Sequence, residues 1–493
     1  MSRSRWQILL GIATLGSIVL YFLVLSDYAP VRLSHRIGEG TSLETGGNIP
    51  ENTEFFNWTT TTAFGPVTEE HAVHATIKEL CESFPQSKLL HVQPVLKSGH
   101  GAMNRVRSQL NSSAACLTNL LIFSDLDEEI EGHTVVDTIK DIPQELIESD
   151  DQTLPYRHLK AFQANGTLEQ SNETASQLPG WETDKFKFLP DVSRAWQMSP
   201  EKQWYVFFEG DTYIVWDNVF RLLENFDADQ PHYFGSPSPG RDGIWFANGG
   251  PGFILSRAAV RKLVRDDYTK DGSYLGSRVS VKQWNETLVN CCGDSILGWA
   301  LWEESLKLDG LWPMFNPHPP HGVPFSDLYW CQPVLTMHKP HEEDMQDLWR
   351  WEWQHRNATR PVLYRDLAIS YYNSFFETPI RLNWDNAEWD SFDPPESRAH
   401  TSPVTCQDAC AAHQGCFQWT HYLGRCHFVR SFRFGRARDP PPLLEEGQQH
   451  DEPWSPDDRR FVSGWISSRI QKWMDERPCD QVQWVKPSTT RIF

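Results

Sequence analysis

The stretch that most restricts the fold is Trp204-Tyr205-Val206-Phe207-Phe208, an unbroken apolar run that stops at Glu209-Gly210-Asp211. Such a run predicts a strand covered on both faces, as in an α/β sheet. The two acids then mark the strand end, where ligands of open α/β sheets bind. Two nearby carboxylates offer the hard oxygen ligands needed by a divalent cation that carries a phosphorylated substrate. Acid-glycine-acid triplets also occur in solvated turns. Here Val219, Leu222, Leu223 and Phe226 follow at helical spacing, with Asp217 as the expected N-cap, so the order is strand, acidic turn, helix.

Length and charge narrow the class. A chain of 493 residues has room for one large domain, a smaller one and extensions. Its net charge of -20 argues against nucleic acid as a partner, because phosphate contacts need a basic surface. Ten cysteines and sequons at Asn57, Asn111, Asn165, Asn172, Asn285 and Asn357 agree on an oxidising, glycosylating compartment.

The N-terminus fits that compartment. Arg3 and Arg5 form a short tail (1–5) before an uncharged stretch at 6–25, which is long enough to span a bilayer. We read it as a signal anchor with the remainder lumenal, a cleaved signal peptide being the alternative. Residues 26–80 lack sustained periodicity and read as a stem.

From Lys88 strand and helix signals alternate. Strands are expected at Leu89–Leu96 and Leu117–Phe123, the first running into Lys97-Ser98-Gly99 and the second into Ser124-Asp125. A helix is expected from Asn104 to Leu110. This texture predicts a mostly parallel, Rossmann-like sheet whose first two strand ends border a nucleotide pocket, placing Lys97 and Asp125 there. Residues 141–180 read as an exposed insertion. Lys185 and Lys187, near the start of a partly helical stretch at 181–196, are either phosphate contacts or solvated lysines. Gly249-Gly250-Pro251-Gly252 leads into an apolar strand, and clustered glycines let a backbone approach a ligand closely or make a tight turn. Asp294 opens the helical pattern 296–306, and His338 ends a short strand at 334–338; by spacing alone the first also reads as a helix cap, and a lone histidine is more often packed or exposed than ligating.

The order of these motifs resembles the core 1 galactosyltransferase and Fringe-like group of glycosyltransferase family 31, especially its fungal members. The resemblance runs from the 204–213 stretch through Tyr233-Phe234-Gly235, the 249–256 segment and Gly293-Asp294-Ser295-Ile296-Leu297-Gly298 to His338. It implies a GT-A fold over 81–345 that binds a UDP-sugar through Mn2+. It matches Glu209, Asp211 and His338 to metal ligands and Asp294 to the catalytic base. Lys97, Asp125, Lys187, Gly249 and Gly250 are then the residues expected around the nucleotide sugar. The usual all-aspartate triplet is here Glu-Gly-Asp, and glycine precedes Asp294 where a second acid is common.

Beyond the head, an aromatic-rich connector (346–400) is expected to pack against it. The pattern Cys406-x3-Cys410-x5-Cys416-x9-Cys426 reads as a disulfide-stapled module at 401–480, zinc being the competing reading. Four cysteines allow three pairings; likeness to a PAN/apple module implies Cys406 with Cys426 and Cys410 with Cys416. A module of that kind either binds a glycan or protein acceptor or lids the head. An acidic, proline-rich loop is expected from 440 to 456. Together these readings give a Golgi-anchored, single-pass type II enzyme moving a hexose, galactose favoured over N-acetylglucosamine, from a UDP-sugar to a glycan or glycoprotein, with inversion and a β-1,3 linkage. The alternative is a lumenal carbohydrate-binding or adhesion protein that kept the fold without turnover.

Overall fold

A computed structural model describes residues 64–491, except 66, 169–179, 358, 373–374 and 441–458. The expected anchor at 6–25, most of the stem and nearly all of the 440–456 loop lie outside these residues. Among the described residues no helix is long and apolar enough to cross a membrane.

In chain order the strands that build the head are β1 (Val92–Lys97), β2 (Leu121–Ser124), β3 (Glu128–Ile130), β4 (His133–Asp137), β5 (Trp204–Glu209), β6 (Thr212–Ile214), β7 (Tyr233–Gly235), β8 (Pro237–Pro239), β9 (Trp245–Ala247), β10 (Phe253–Ser256), β11 (Asp309–Gly310), β12 (Phe315–Asn316) and β13 (Thr336–His338). Eight of them form one sheet in the order β11-β7-β10-β5-β1-β2-β4-β3. The apolar run behaves as its composition demands. Trp204, Val206 and Phe208 of β5 face one core, and Tyr205 and Phe207 face the other, the two-sided burial that removes polar alternation from a central strand. Burial relaxes at Glu209, the first residue of the strand that is not fully enclosed.

The sheet is mixed: four of its seven pairings are parallel, β11 with β7 among them, so the mostly parallel expectation holds narrowly. β5, β1, β2 and β4 are parallel neighbours, but β10 runs antiparallel to both β5 and β7, and β3 to β4. The direction of β10 follows from how it is entered. Its leading residue, Phe253, pairs with Phe207 near the end of β5, so the glycine turn before it sits on the same rim as Glu209.

Other local differences have equally plain causes. The 141–180 segment is not simply an exposed insertion: its described part forms the helices Gln144–Ile147 and Leu154–Ala164, with Ile147 and Tyr156 clustered with Phe186 and Trp284. The described part of the expected stem, from 64 to 80, folds onto the head, with Phe64, Ala72 and Leu80 buried, and Cys81, just beyond it, is bonded to Cys116. Asp217 does not cap its helix. Trp216–Leu223 starts after Val215, and the Asp217 carboxylate is buried against Arg221 at 3.0 Å.

The C-terminal region is an antiparallel five-stranded sheet, with strands 380–382, 462–465, 418–422, 425–429 and 391–392 side by side. The helix Pro403–Ala412 is stapled to it by Cys406–Cys426, and Cys410–Cys416 closes the turn that follows. These disulfides exclude the zinc reading of the four cysteines. Cys331–Cys479 and a bridge between Phe325 and Phe432 join this region to the head, and Trp465 and Ile470 enter the main apolar core. The connector helix Glu342–His355 packs as expected, burying Trp349 and Trp353.

Candidate active site

Three strand ends meet at the rim of the sheet. Register pairs Lys97 of β1 with Glu209 of β5 and with Phe123 of β2, so Lys97, Asp125 and Glu209 belong to one cluster of loops. After Glu209 the chain turns through Gly210 and Asp211 into β6, which pairs antiparallel with β13. That register sets His338 opposite Thr212, one residue from Asp211, although 127 positions separate the acid from the histidine. Ligand atoms of Glu209, Asp211 and His338 all lie within 4.8 Å of one another.

The Asp211 carboxylate has two different surroundings. Its Oδ2 accepts from Arg105 Nη1 at 2.9 Å, whereas Oδ1 is buried without a hydrogen bond and lies 3.6 Å from His338 Nε2. Burial works to raise this carboxyl, but His338 and Arg105 outweigh it and hold it below the ordinary range, so the group is an anion near neutral pH. A buried, unbonded carboxylate oxygen facing an imidazole and a second carboxylate is a donor set that fits a hard or borderline divalent cation such as Mn2+.

Glu209 is more committed. Its Oε1 lies 2.9 Å from Lys97 Nζ, which also holds Asp184 Oδ2 at 2.5 Å and sits 4.0 Å above the Phe188 ring. Burial would push this ammonium down; the two carboxylates keep it above its usual value. Lys187 donates to the Ser98 carbonyl at 2.6 Å and pairs with the other oxygen of Asp184 at 3.1 Å. Burial opposes ionisation of Asp184 as well, and the two lysines overcome it and hold its carboxyl well below its ordinary value. Lys97 and Lys187 thus line the rim through Asp184, a residue that sequence reading did not single out because nothing local distinguishes it.

Asp125 accepts from the His100 backbone N–H at 2.8 Å and orders the loop after β1. With Lys97, Lys187, Asp184, Tyr156, Arg105 and Asp211 it lines a cavity of about 580 Å3. Lys185 does not reach this cavity wall; its Nζ binds Gln152 Oε1 and the carbonyls of Leu288 and Asn290.

The glycine turn ties the remaining candidates together. Gly249 N–H donates to Asp294 Oδ2 at 2.8 Å, and a Cβ on Gly250 would lie 2.1 Å from the His338 ring. Asp294 and His338 therefore both abut the turn, through its neighbouring residues Gly249 and Gly250. Asp294 lies in the first turn of the helix Gly293–Glu303, not at its cap, and also accepts from Ser295 N–H at 2.8 Å. Burial raises its carboxyl despite these two donors, the direction a general base needs if it is to accept a proton. At Gly293, the position before Asp294, a Cβ would come 2.3 Å from Phe188, so the site as built accommodates glycine there.

A second cavity of about 650 Å3 shares Arg105, Asp211 and Glu342 with the first. Its far wall includes Asp385, Glu388, Trp389, Arg433 and Arg436 from the C-terminal region. Arg436 pairs with Glu388, Arg438 with Asp385, and Arg433 with Asp390, so that wall carries largely compensated charge.

Comparison with known proteins agrees with the geometry at the level of family. The family described as Fringe-like matches residues 147–307, a segment that contains β5, the acidic turn and Asp294. The chain is 38% identical over 64 residues to a Xenopus laevis glycoprotein-N-acetylgalactosamine 3-beta-galactosyltransferase, covering 13% of this chain and 18% of that one. It is 24% identical over 161 residues to a Danio rerio beta-1,3-N-acetylglucosaminyltransferase lunatic fringe, covering 30% and 40%, and 21% identical over 199 residues to the Xenopus laevis counterpart, covering 37% and 48%. The chain thus spans less than half the length of each of these relatives. The likenesses support glycosyltransferase family 31, and the mixed sheet fits a GT-A glycosyltransferase.

Proposed function

We propose that this chain is a metal-dependent inverting glycosyltransferase that moves a hexose, galactose favoured, from a UDP-sugar to a hydroxyl of a glycan or glycoprotein in a β-1,3 linkage. The observation that carries this reading is the convergence of Glu209, Asp211 and His338 beside the Gly249-Gly250 turn, to which Asp294 is also hydrogen-bonded. Asp211 and His338 would hold the cation, with Glu209 a weaker third ligand because Lys97 already engages it. A divalent cation in that place supplies neutralisation of the charge that builds on a departing diphosphate.

The chain's own residues perform the rest. Lys97, Lys187 and Asp125 order the walls of the first cavity, where the nucleotide is placed. Asp294 accepts the proton of the acceptor hydroxyl as that oxygen attacks the anomeric carbon, and in-line attack inverts it. The C-terminal wall of the second cavity, with its compensated charges, suits a neutral polyhydroxylated acceptor, and the PAN/apple-like region is assigned that contact. With the apolar stretch at 6–25 read as a single-pass type II anchor, we infer the Golgi membrane as the enzyme's location.

One observation favours the reading without turnover: Arg105 and Lys97 already neutralise the two acids. Arg105 is about half exposed, with 48% of its side chain accessible, so it can leave Asp211 at small cost. UDP release from UDP-galactose and UDP-N-acetylglucosamine with and without Mn2+ decides between the readings. Metal-dependent release that disappears in Asp211→Ala and Asp294→Ala supports transfer; sugar binding indifferent to both substitutions and no UDP release support the rival.

A further inference from the structure

The disulfides of the described region are not all of one kind. Cys81–Cys116, Cys331–Cys479, Cys406–Cys426 and Cys410–Cys416 join positions 35, 148, 20 and 6 residues apart. Cys291 and Cys292 are bonded to each other as chain neighbours. A bond between neighbours closes no intervening chain, so it removes little of the unfolded-state freedom through which a cross-link stabilises a fold. Both residues are exposed, so they bury little apolar surface either. What the bond does is lock the backbone of two consecutive residues into a small ring.

The place of that ring gives it meaning. Cys292 is the N-cap of the helix Gly293–Glu303, and Asp294 is in its first turn. Upstream, Lys185 Nζ holds the carbonyls of Leu288 at 3.3 Å and Asn290 at 3.0 Å. Downstream, Gly293 is pressed against its neighbours, a Cβ there falling 2.3 Å from Phe188 and 2.9 Å from the Lys185 backbone. The two exposed cysteines bridge these anchors, and their ring stiffens the one link between them. The carboxylate that this link orients is set by two hydrogen bonds of 2.8 Å, from Gly249 and Ser295. A misplacement of ~1 Å at a reacting group costs on the order of a hundredfold in rate.

We propose that the Cys291–Cys292 bond is a positioning device for Asp294: it holds the turn so that the carboxylate faces the acceptor hydroxyl, and opening it slows the chemical step while leaving donor and metal binding intact. The inference rests on Asp294 being the base. The cysteines touch no reacting atom, and four separate disulfides keep the fold closed when this one opens.

The test uses the full chain, with UDP-galactose and UDP-N-acetylglucosamine as donors and p-nitrophenyl monosaccharides as acceptors, reading UDP release. Cys291→Ser/Cys292→Ser is expected to lose about tenfold in kcat, with KM for donor and the Mn2+ activation constant within about twofold and Tm within about 2 °C of the parent. Dithiothreitol is expected to do the same reversibly: it gives two electrons and two protons to the exposed bond, becoming its cyclic disulfide while Cys291 and Cys292 become thiols. The serine variant is expected not to respond. An unchanged kcat in the serine variant, while Asp294→Ala is inactive, overturns the proposal; so does a loss confined to donor KM. Should the variant fail to fold, parent enzyme that keeps its kcat with both thiols shown free by alkylation overturns it. Transfer surviving in Asp294→Ala, or no UDP release from the parent, sinks instead the reading beneath it.

Discussion

Replacing Gly250 by alanine tests whether His338 is held in place by the glycine turn. The added Cβ would lie 2.1 Å from His338 Cε1, 2.3 Å from Nδ1 and 2.4 Å from Nε2, against a comfortable heavy-atom separation of ~3.5–4 Å. The turn cannot simply retreat, because the buried Thr212 hydroxyl donates to the Gly250 carbonyl at 2.6 Å and accepts from the Glu209 N–H at 3.0 Å. The ring must therefore move by about an ångström or more, a shift of the size that costs metal sites ~10–100-fold in affinity when a supporting contact is lost. In free energy that is about 1.4–2.7 kcal/mol. The assay is UDP release against Mn2+ concentration, with thermal unfolding measured on the same samples. Gly249→Ala is the companion, since its Cβ would meet Phe188 at 2.8 Å and Asp294 at 3.4 Å but not His338. The expected result is a weakened Mn2+ activation constant in Gly250→Ala and a lowered kcat in Gly249→Ala. Parental metal dependence in Gly250→Ala, or the two effects exchanged, refutes the argument.

Asp211→Asn keeps the shape and removes the charge, and UDP release should fall on the order of a hundredfold or more, with unchanged circular dichroism. Asp191 is buried beneath the rim, with one oxygen bonded to Thr138 at 2.6 Å and the other unbonded, and burial pushes it up to about 7. Folded protein then binds a proton that unfolded chain releases above the ordinary value of 3.8, so this group's contribution is complete below pH ~4 and is lost as pH rises through 7. Asp191→Asn is accordingly expected to gain stability on the parent between pH 4 and 8, by up to about 4 kcal/mol in urea unfolding at the upper end; parallel pH profiles would remove that account. Glu388→Ala/Arg436→Ala strips a pair from the second cavity, and should raise acceptor KM several-fold while donor hydrolysis without acceptor stays at the parental rate. A rise in donor KM instead would show that this wall serves the nucleotide.

Sequence alone determined what local chemistry can encode. The run from Trp204 to Phe208 has one stable fate, a strand buried on both faces, and the acids after it must then sit at a rim. The glycines at 249–252 announced a turn of close approach, and the Cys406 to Cys426 spacing a stapled module, although likeness to a known module was needed to choose among its pairings. What lay beyond the sequence is every contact set by register or strand direction. His338 reaches Asp211 because β13 pairs with β6, and the glycine turn reaches the rim because β10 runs against β5. Asp184 binds Lys97 across 87 residues, and Arg105 binds Asp211 across 106. Periodicity reports how a residue sits relative to its chain neighbours, whereas an ion pair is a choice among distant partners; only packing of the finished sheet makes that choice, and here it decides which Asp211 carboxylate oxygen is left without a hydrogen bond.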